Sequence, residues 1–160
     1  MRVGHGFDVH ALAEGRKLIL AGVVIDHPLG LAGHSDADVI THAVIDALLG
    51  AAGLGDIGMH FPDSDPAYRD ASSVKLLGTI AQAVGSLGYA IENVDVTLMA
   101  QEPKIGLHRP SMVENLAAAM AIKPDRVNVK ATTTEGLGFV GRLEGIAASA
   151  VALLKHRDDR

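Results

Sequence analysis

The chain has 160 residues, enough for one domain with a sizeable core, and its 48% apolar against 3% aromatic residues require that core to be built from Ala, Val, Leu and Ile. It contains no cysteine, which excludes a disulfide framework and a thiolate metal site, so any transition-metal site must draw on His, Asp and Glu. A net charge of −5 without long basic runs argues against nucleic acid and acidic membranes as partners, and with neither a signal-peptide stretch nor a membrane span in view a cytoplasmic protein is expected.

In chain order, residues 1–12 alternate loosely and read as a strand. Residues two apart in a strand share a face, so Gly4, Gly6, Asp8 and His10 line one side and Val3, His5, Phe7 and Val9 the other. The two glycines leave room on the face where an acid and a histidine project, which suggests a site. Residues 17–20 and 23–25 flank Ala21-Gly22 as a small hairpin. The segment His34-Ser35-Asp36-Ala37-Asp38-Val39-Ile40-Thr41-His42 then enters an apolar run over 39–54, with Ile40, Val44, Ala47, Leu48 and Ala51 at helical spacing. Ser35 and Asp38 resemble a capping box, which places the helix start there, with His34 in the loop at its positive end and His42 inside the helix. Free backbone N–H groups at such an end receive an anion well. Asp38 and Asp46, one turn either side of His42, are candidates to orient its ring.

Residues 59–68, rich in aspartate and carrying two prolines, form a long irregular loop of the kind that is often functional. A second helix is expected from Ser72 or Ser73 to about Leu87, with Val74, Leu77, Ile80, Ala81 and Val84 inward. A strand with Val94, Val96 and Leu98 buried ends near Gln101, a turn holds Lys104, and a third helix starts near Pro110 and ends before Lys123-Pro124. Val127, Val129 and Ala131 mark another strand, ending in Thr132-Thr133-Thr134-Glu135. Residues 145–156 are apolar on all sides, so periodicity leaves strand and helix equally open there. This order argues for an α/β sandwich with helices on one sheet face.

Three clusters carry potential chemistry: Asp8 with His10, His34 with His42, and the hydroxyls and carboxylate from Thr132 to Glu135. One aspartate and two histidines make a common zinc set that leaves a fourth position open. Spacing alone does not say which histidine joins Asp8 and His10. His5, His27, His60, His108 and His156 read as surface or packing residues.

Taken together these segments resemble the 2-C-methyl-D-erythritol 2,4-cyclodiphosphate synthase family. The resemblance rests on Gly4-His5-Gly6-Phe7-Asp8-Val9-His10, on His34-Ser35-Asp36, and on Gly55-Asp56-Ile57-Gly58 with Phe61-Pro62-Asp63-Ser64-Asp65. It continues through Asn128-Val129-Lys130-Ala131-Thr132-Thr133-Thr134-Glu135 and Gly141-Arg142. It covers nearly the whole chain in order.

The resemblance implies a single domain over 1–160, a two-layer α/β (α+β) sandwich of a mixed four-stranded sheet with helices on one face plus a small hairpin, and a terminal strand. It implies one zinc ion per subunit on Asp8, His10 and His42, and Glu135 as ligand of a second divalent ion, magnesium or manganese, with the substrate diphosphate. His34 and Thr133 match catalytic positions. Ser35, Asp56, Ile57, Gly58, Phe61, Pro62, Asp63, Ser64 and Asp65 match the pocket for the phosphorylated erythritol, to which Asp8 and His10 also belong. Ala100, Lys104, Ala131, Thr132, Thr133, Thr134, Glu135, Phe139 and Arg142 match further substrate contacts, most of them to the cytidine monophosphate part. Gly106 departs from the family pattern beside the cytosine site. The implied partners are a cytidine diphosphate derivative as substrate, two further copies in a homotrimer with active sites between subunits, and an isoprenoid diphosphate on the trimer axis near Arg142 and Glu144.

Overall fold

The computed structural model describes residues 1–158. Four long strands form the body of one sheet: β1 (Arg2–Ala13), β5 (Tyr89–Met99), β6 (Val127–Thr132) and β7 (Gly145–His156). The segment that periodicity left open is therefore a strand. It is the central one, antiparallel to β1 on one side and to β5 on the other, while β5 and β6 run parallel. Ala148, Ala150, Ala152 and Leu154 are buried on one face, but the other face carries Ala147, Val151 and Leu153, apolar too, which is why no alternation is visible in its sequence. A two-residue strand, β4 (Gly30–Leu31), adds a fifth member outside β1, with Leu12 opposite Leu31. The expected hairpin is present as β2 (Leu18–Leu20) and β3 (Val23–Ile25), forming its own two-stranded sheet.

Three helices cover one face of the large sheet. Helix α1 (Val39–Ala52) lies across β1 and β7, α3 (Ser73–Ser86) packs on α1 and β5, and α4 (Arg109–Met120) packs on α3 and β6. Two short helices, α2 (Ile57–His60) and α5 (Gly138–Gly141), sit in the connections, and Pro66–Tyr68 makes a single 3₁₀ turn in the long loop. No helix among the described residues is long and apolar enough to cross a membrane. Among the described residues the opposite sheet face has no such cover: Val3, Phe7, Val9 and Val151 are 41–67% exposed there.

The glycines of β1 do not make room for a ligand. A Cβ at Gly4 would stand 1.9 Å from the Ala47 carbonyl oxygen, and one at Gly6 2.0 Å from that of Ala43. The space is filled by the α1 backbone, which the missing side chains allow to press on the strand. Every residue of α1 except Asp46 and Gly50 is buried, so it is enclosed on all sides rather than striped.

Asp38, not Ser35, caps α1. Its buried carboxylate accepts from Thr41 N at 3.1 Å and from the Thr41 hydroxyl at 2.7 Å, and from Ala21 N and Gly22 N of the hairpin at 2.8 and 2.7 Å. One side chain thus caps the helix and fastens the hairpin to it. Because residues 37–41 are fully buried and Thr41 N is taken, the end of α1 is not the open anion site that its sequence suggests.

Candidate active site

Pressing α1 onto β1 sets His42 against the strand face that carries Asp8 and His10. His10 Nε2 and His42 Nδ1 each lie beside Asp8 Oδ2, at 2.9 and 3.0 Å, and are 3.2 Å from one another. Spacing left the third member of this group undecided; the fold selects His42. His34 lines the same cleft but is not part of the three-residue cluster.

The outward nitrogens explain why the inward ones converge. His10 Nδ1 is 2.6 Å from the Ala32 carbonyl oxygen, which can only accept, so Nδ1 carries the proton and Nε2 presents its lone pair. On His42 the outward Nε2 meets the hydroxyl oxygens of Ser73 at 2.8 Å and Ser35 at 3.1 Å. Neither Asp38 nor Asp46 reaches the ring: Asp38 is committed to the cap and Asp46 accepts from Ile57 N at 2.8 Å. Ser73 at the start of α3 takes the place those two were expected to fill, and nothing in its local sequence marks it.

Two imidazole nitrogens and a carboxylate oxygen form a borderline-soft donor set suited to zinc and its neighbours. Ligands at about 2.0–2.1 Å in a tetrahedron stand about 3.3 Å apart, and the observed separations of 2.9–3.2 Å are close to that. Burial raises the Asp8 pKa, but hydrogen bonds from His10 and His42, together with their charge, outweigh it and hold the carboxyl well below the usual range. Burial opposes charge on His10 too, yet the Asp8 hydrogen bond and charge prevail and raise its pKa.

The triad opens into a cleft of about 370 Å³, walled by His34, Ser35, Ile57, Gly58, Phe61, Pro62 and Asp63, with Gly33, Tyr68 and Leu76 completing it. Sequence reasoning did not mark those last three; Tyr68 enters through an edge-on contact with Phe61, ring centres 5.2 Å apart. Asp56 and Asp65 stand outside the wall and work as caps, Asp56 accepting from Met59 N in α2 and Asp65 from Ala67 N in the 3₁₀ turn. Ser64 does not line the cleft either.

A second hollow of about 310 Å³ holds Ala100, Lys104, Ala131, Thr132 and Thr133, and Arg109 adds a cation there that the sequence reading did not single out. The two hollows share no residue. Just beyond the second, the Thr133 hydroxyl donates to Glu135 at 3.0 Å, and Glu135 stands in the left-handed backbone region at φ 54°. For a non-glycine residue that is a strained conformation of the sort found at functional positions. Thr134 donates to the Leu137 carbonyl, Phe139 is in α5, and Arg142 is held by Glu144 through two hydrogen bonds; none of the three lines either hollow.

Asp46 ties the helix that carries His42 to the cleft wall, since Ile57 N is the start of α2. Burial, reinforced by Asp56 and Asp8, raises its pKa, while the Ile57 N–H opposes that. Asp46→Ala is expected to lose about 1 kcal/mol by orphaning that N–H. Asp46→Asn, which can still accept, should match the wild type near pH 4. A folded pKa above the unfolded value means the native state binds the extra proton, so wild-type stability should fall relative to Asp46→Asn as pH rises through the raised pKa. Urea melts of the three proteins at several pH values measure both differences.

A model of the YgbB family matches residues 1–155 of the chain. The 2-C-methyl-D-erythritol 2,4-cyclodiphosphate synthase of Geotalea daltonii is 60% identical over 159 residues, 99% of this chain and 93% of that protein. The enzyme of the same name from Bordetella pertussis is 62% identical over 153 residues, 96% of this chain and 94% of its own. Among solved structures, the bifunctional IspDF from Campylobacter jejuni superposes with a TM-score of 0.93 at 46% identity; the match covers 97% of this chain but 42% of that one. A 2C-methyl-D-erythritol-2,4-cyclodiphosphate synthase in its CDP-bound form gives a TM-score of 0.88 at 40% identity, covering 96% of this chain and all of that one.

Proposed function

The chain belongs to the YgbB family, and on that premise we propose that it converts 4-diphosphocytidyl-2-C-methyl-D-erythritol 2-phosphate into 2-C-methyl-D-erythritol 2,4-cyclodiphosphate and CMP, in non-mevalonate isoprenoid precursor synthesis. The observation that carries the reading is the triad of Asp8, His10 and His42 at the floor of a cleft in a chain of this family. An oxygen of the 2-phosphate forms a bond to the β-phosphorus, and the bridge from that phosphorus to the α-phosphate breaks, its electron pair leaving with CMP. The nucleophile is already an anion at neutral pH, so no strong base is required. Repulsion between the phosphates of one molecule is the obstacle.

Asp8, His10 and His42 would hold zinc and Glu135 would hold magnesium or manganese, ions that when bound would supply positive charge toward the phosphates and favour in-line displacement. Lys104 adds a fixed charge on the cytidine side, Thr132 and Thr133 offer hydroxyls to the diphosphate, and Ala100 and Ala131 shape the nucleotide hollow. His34 and Ser35 offer donors at the cleft mouth, and Thr133 with His34 steadies the reacting phosphate. Asp63 and the wall of Ile57, Gly58, Phe61 and Pro62 hold the erythritol part. Fixing both ends of one flexible substrate can supply up to roughly 7–11 kcal/mol by proximity.

The active site is read as lying between neighbouring subunits of a homotrimer. In one chain the metal cleft and the nucleotide hollow are separate, and the uncovered sheet face carries Val3, Phe7, Val9 and Val151. An isoprenoid diphosphate near Arg142 on the trimer axis belongs to the same reading, as do a cytoplasmic location and the treatment of residues 1–160 as one domain around a continuous apolar core. Light scattering should give three times the chain mass, and a monomer would remove the shared-site reading.

Incubation with the substrate, zinc and magnesium, followed by phosphorus NMR, tests the reaction. A cyclic diphosphate with free CMP is expected; a linear monoester would mean hydrolysis, and unchanged substrate would mean a binding protein. Glu135→Gln should raise the magnesium or manganese concentration needed for half-maximal turnover by about 10-fold or more while bound zinc is retained. An unchanged metal titration would reassign Glu135.

A further inference from the structure

The deepest connection of the metal cleft runs away from the substrate, into the start of α3. Ser73 is fully buried. Its hydroxyl donates to Asp36 Oδ1 in a short hydrogen bond, and its backbone N–H donates to Oδ2 of the same carboxylate at 3.0 Å. Asp36 is fixed in turn by the Asp38 N–H at 3.3 Å and sends its own N–H to the Ala71 carbonyl at 3.1 Å. With its one hydroxyl proton committed to a carboxylate, Ser73 Oγ has only lone pairs left for His42 Nε2, 2.8 Å away. The bond between them must then be donated by the ring.

We propose that Asp36 and Ser73 are positioning residues for the metal centre: the chain Asp36–Ser73–His42 orders the proton on Nε2 and leaves the Nδ1 lone pair of His42 facing Asp8 and His10. The proposal rests on the reading of Asp8, His10 and His42 as metal ligands. Ser73 here does for His42 what the Ala32 carbonyl does for His10, through a buried hydroxyl whose direction a carboxylate sets. Ser35 Oγ, at 3.1 Å from the same nitrogen, shares the proton at the cleft edge but takes the Ala37 N–H at 3.2 Å and has no carboxylate behind it. Directionality is therefore the property of Ser73. Asp36 reads in the sequence as one more helix-start residue; the fold gives it a partner 37 residues away.

Two variants separate orientation from packing. Ser73→Ala removes the acceptor with the loss of one oxygen atom. Asp36→Asn keeps the shape but supplies at most one acceptor oxygen to the two donors of Ser73, so the serine hydroxyl is freed to turn toward the ring. Zinc affinity, measured on the whole protein by competition with a chromophoric chelator, is expected to fall 10–100-fold in both. A cobalt-substituted sample gives the signature that a merely structural role would not: the exchangeable Nε2–H resonance of His42 should be resolved in the wild type and lost to fast solvent exchange in Ser73→Ala, while the His10 Nδ1–H resonance persists. Both variants binding zinc within twofold of wild type, with the His42 resonance intact, would overturn the proposal. A wild type that bound no zinc would overturn the metal reading beneath it, which keeps the two failures apart.

Discussion

Replacing His42 by alanine is expected to empty the metal centre and lower cyclisation by about 10²–10³-fold or more, the range seen when one donor to developing charge is removed. The physical case begins with position. His42 is only 9% exposed and projects from a helix enclosed on all sides, so no neighbouring side chain can swing into its place. Asp8 and His10 would remain, 2.9 Å apart, but two ligands would leave a tetrahedral ion with half its coordination open. The truncation also strips the ring from Ser73 and Ser35, whose hydroxyls keep Asp36 and Ala37 as partners, so the fold should survive with a loss of a few kcal/mol. Elemental analysis of the purified variant and phosphorus NMR of the reaction read the two effects independently. His27→Ala is the control, since among the described residues that ring bonds only the backbone of Leu29, and it should retain metal and turn over within about twofold. Metal retained by His42→Ala at near-normal turnover would sink the assignment.

The sequence discloses this centre unevenly, for reasons that lie in distance along the chain. Asp8 and His10 are two residues apart on a strand, so period alone puts them on one face. Joining His42 to them requires knowing that α1 lies on β1, a contact between residues 34 apart that no local pattern encodes. The family resemblance supplied it. Ser73 is further still from any local signal, because a serine at a helix start reads as a cap, and this one instead bonds sideways into the cleft. Burial reversed one other reading: the end of α1 resembles an anion site until Asp38 and the hairpin close over it. In the acidic loop Asp56 and Asp65 have a local task that their sequence does not disclose, each capping a short helical turn. Helix α3 and strand β5 were legible because each has one buried and one open face. The central strand was not, because its open face also carries apolar residues, Val151 and Leu153 among them.

Gly6→Ala, like Gly4→Ala, is expected to place one of the most damaging single methyl groups in the protein. A Cβ there would stand 2.0 Å from the Ala43 carbonyl oxygen and 2.7 Å from the Ala47 N, both helix backbone atoms with no rotamer to escape into. Overpacking a core costs about 1–3 kcal/mol where side chains can yield, and here α1 itself must lift, so roughly 3 kcal/mol or more is expected, a melting point lower by about 6–12 °C. Gly50, on the exposed edge of the same helix, is the counter-case. Its Cβ would meet only the His5 carbonyl oxygen, at 3.9 Å, so Gly50→Ala should gain up to about 1 kcal/mol from helix propensity. The two substitutions make opposite predictions from the same chemical change, which thermal melts decide. Their effects on metal should also diverge. Gly6 precedes Asp8 by two residues on one strand face, and Ala43 follows His42, so a helix lifted at Gly6 carries the third ligand away from the other two. Chelator competition should show weaker binding in Gly6→Ala and unchanged binding in Gly50→Ala. A Gly6→Ala protein that melted normally would mean that α1 does not press on β1, and the glycine face of the strand would again be free for a ligand.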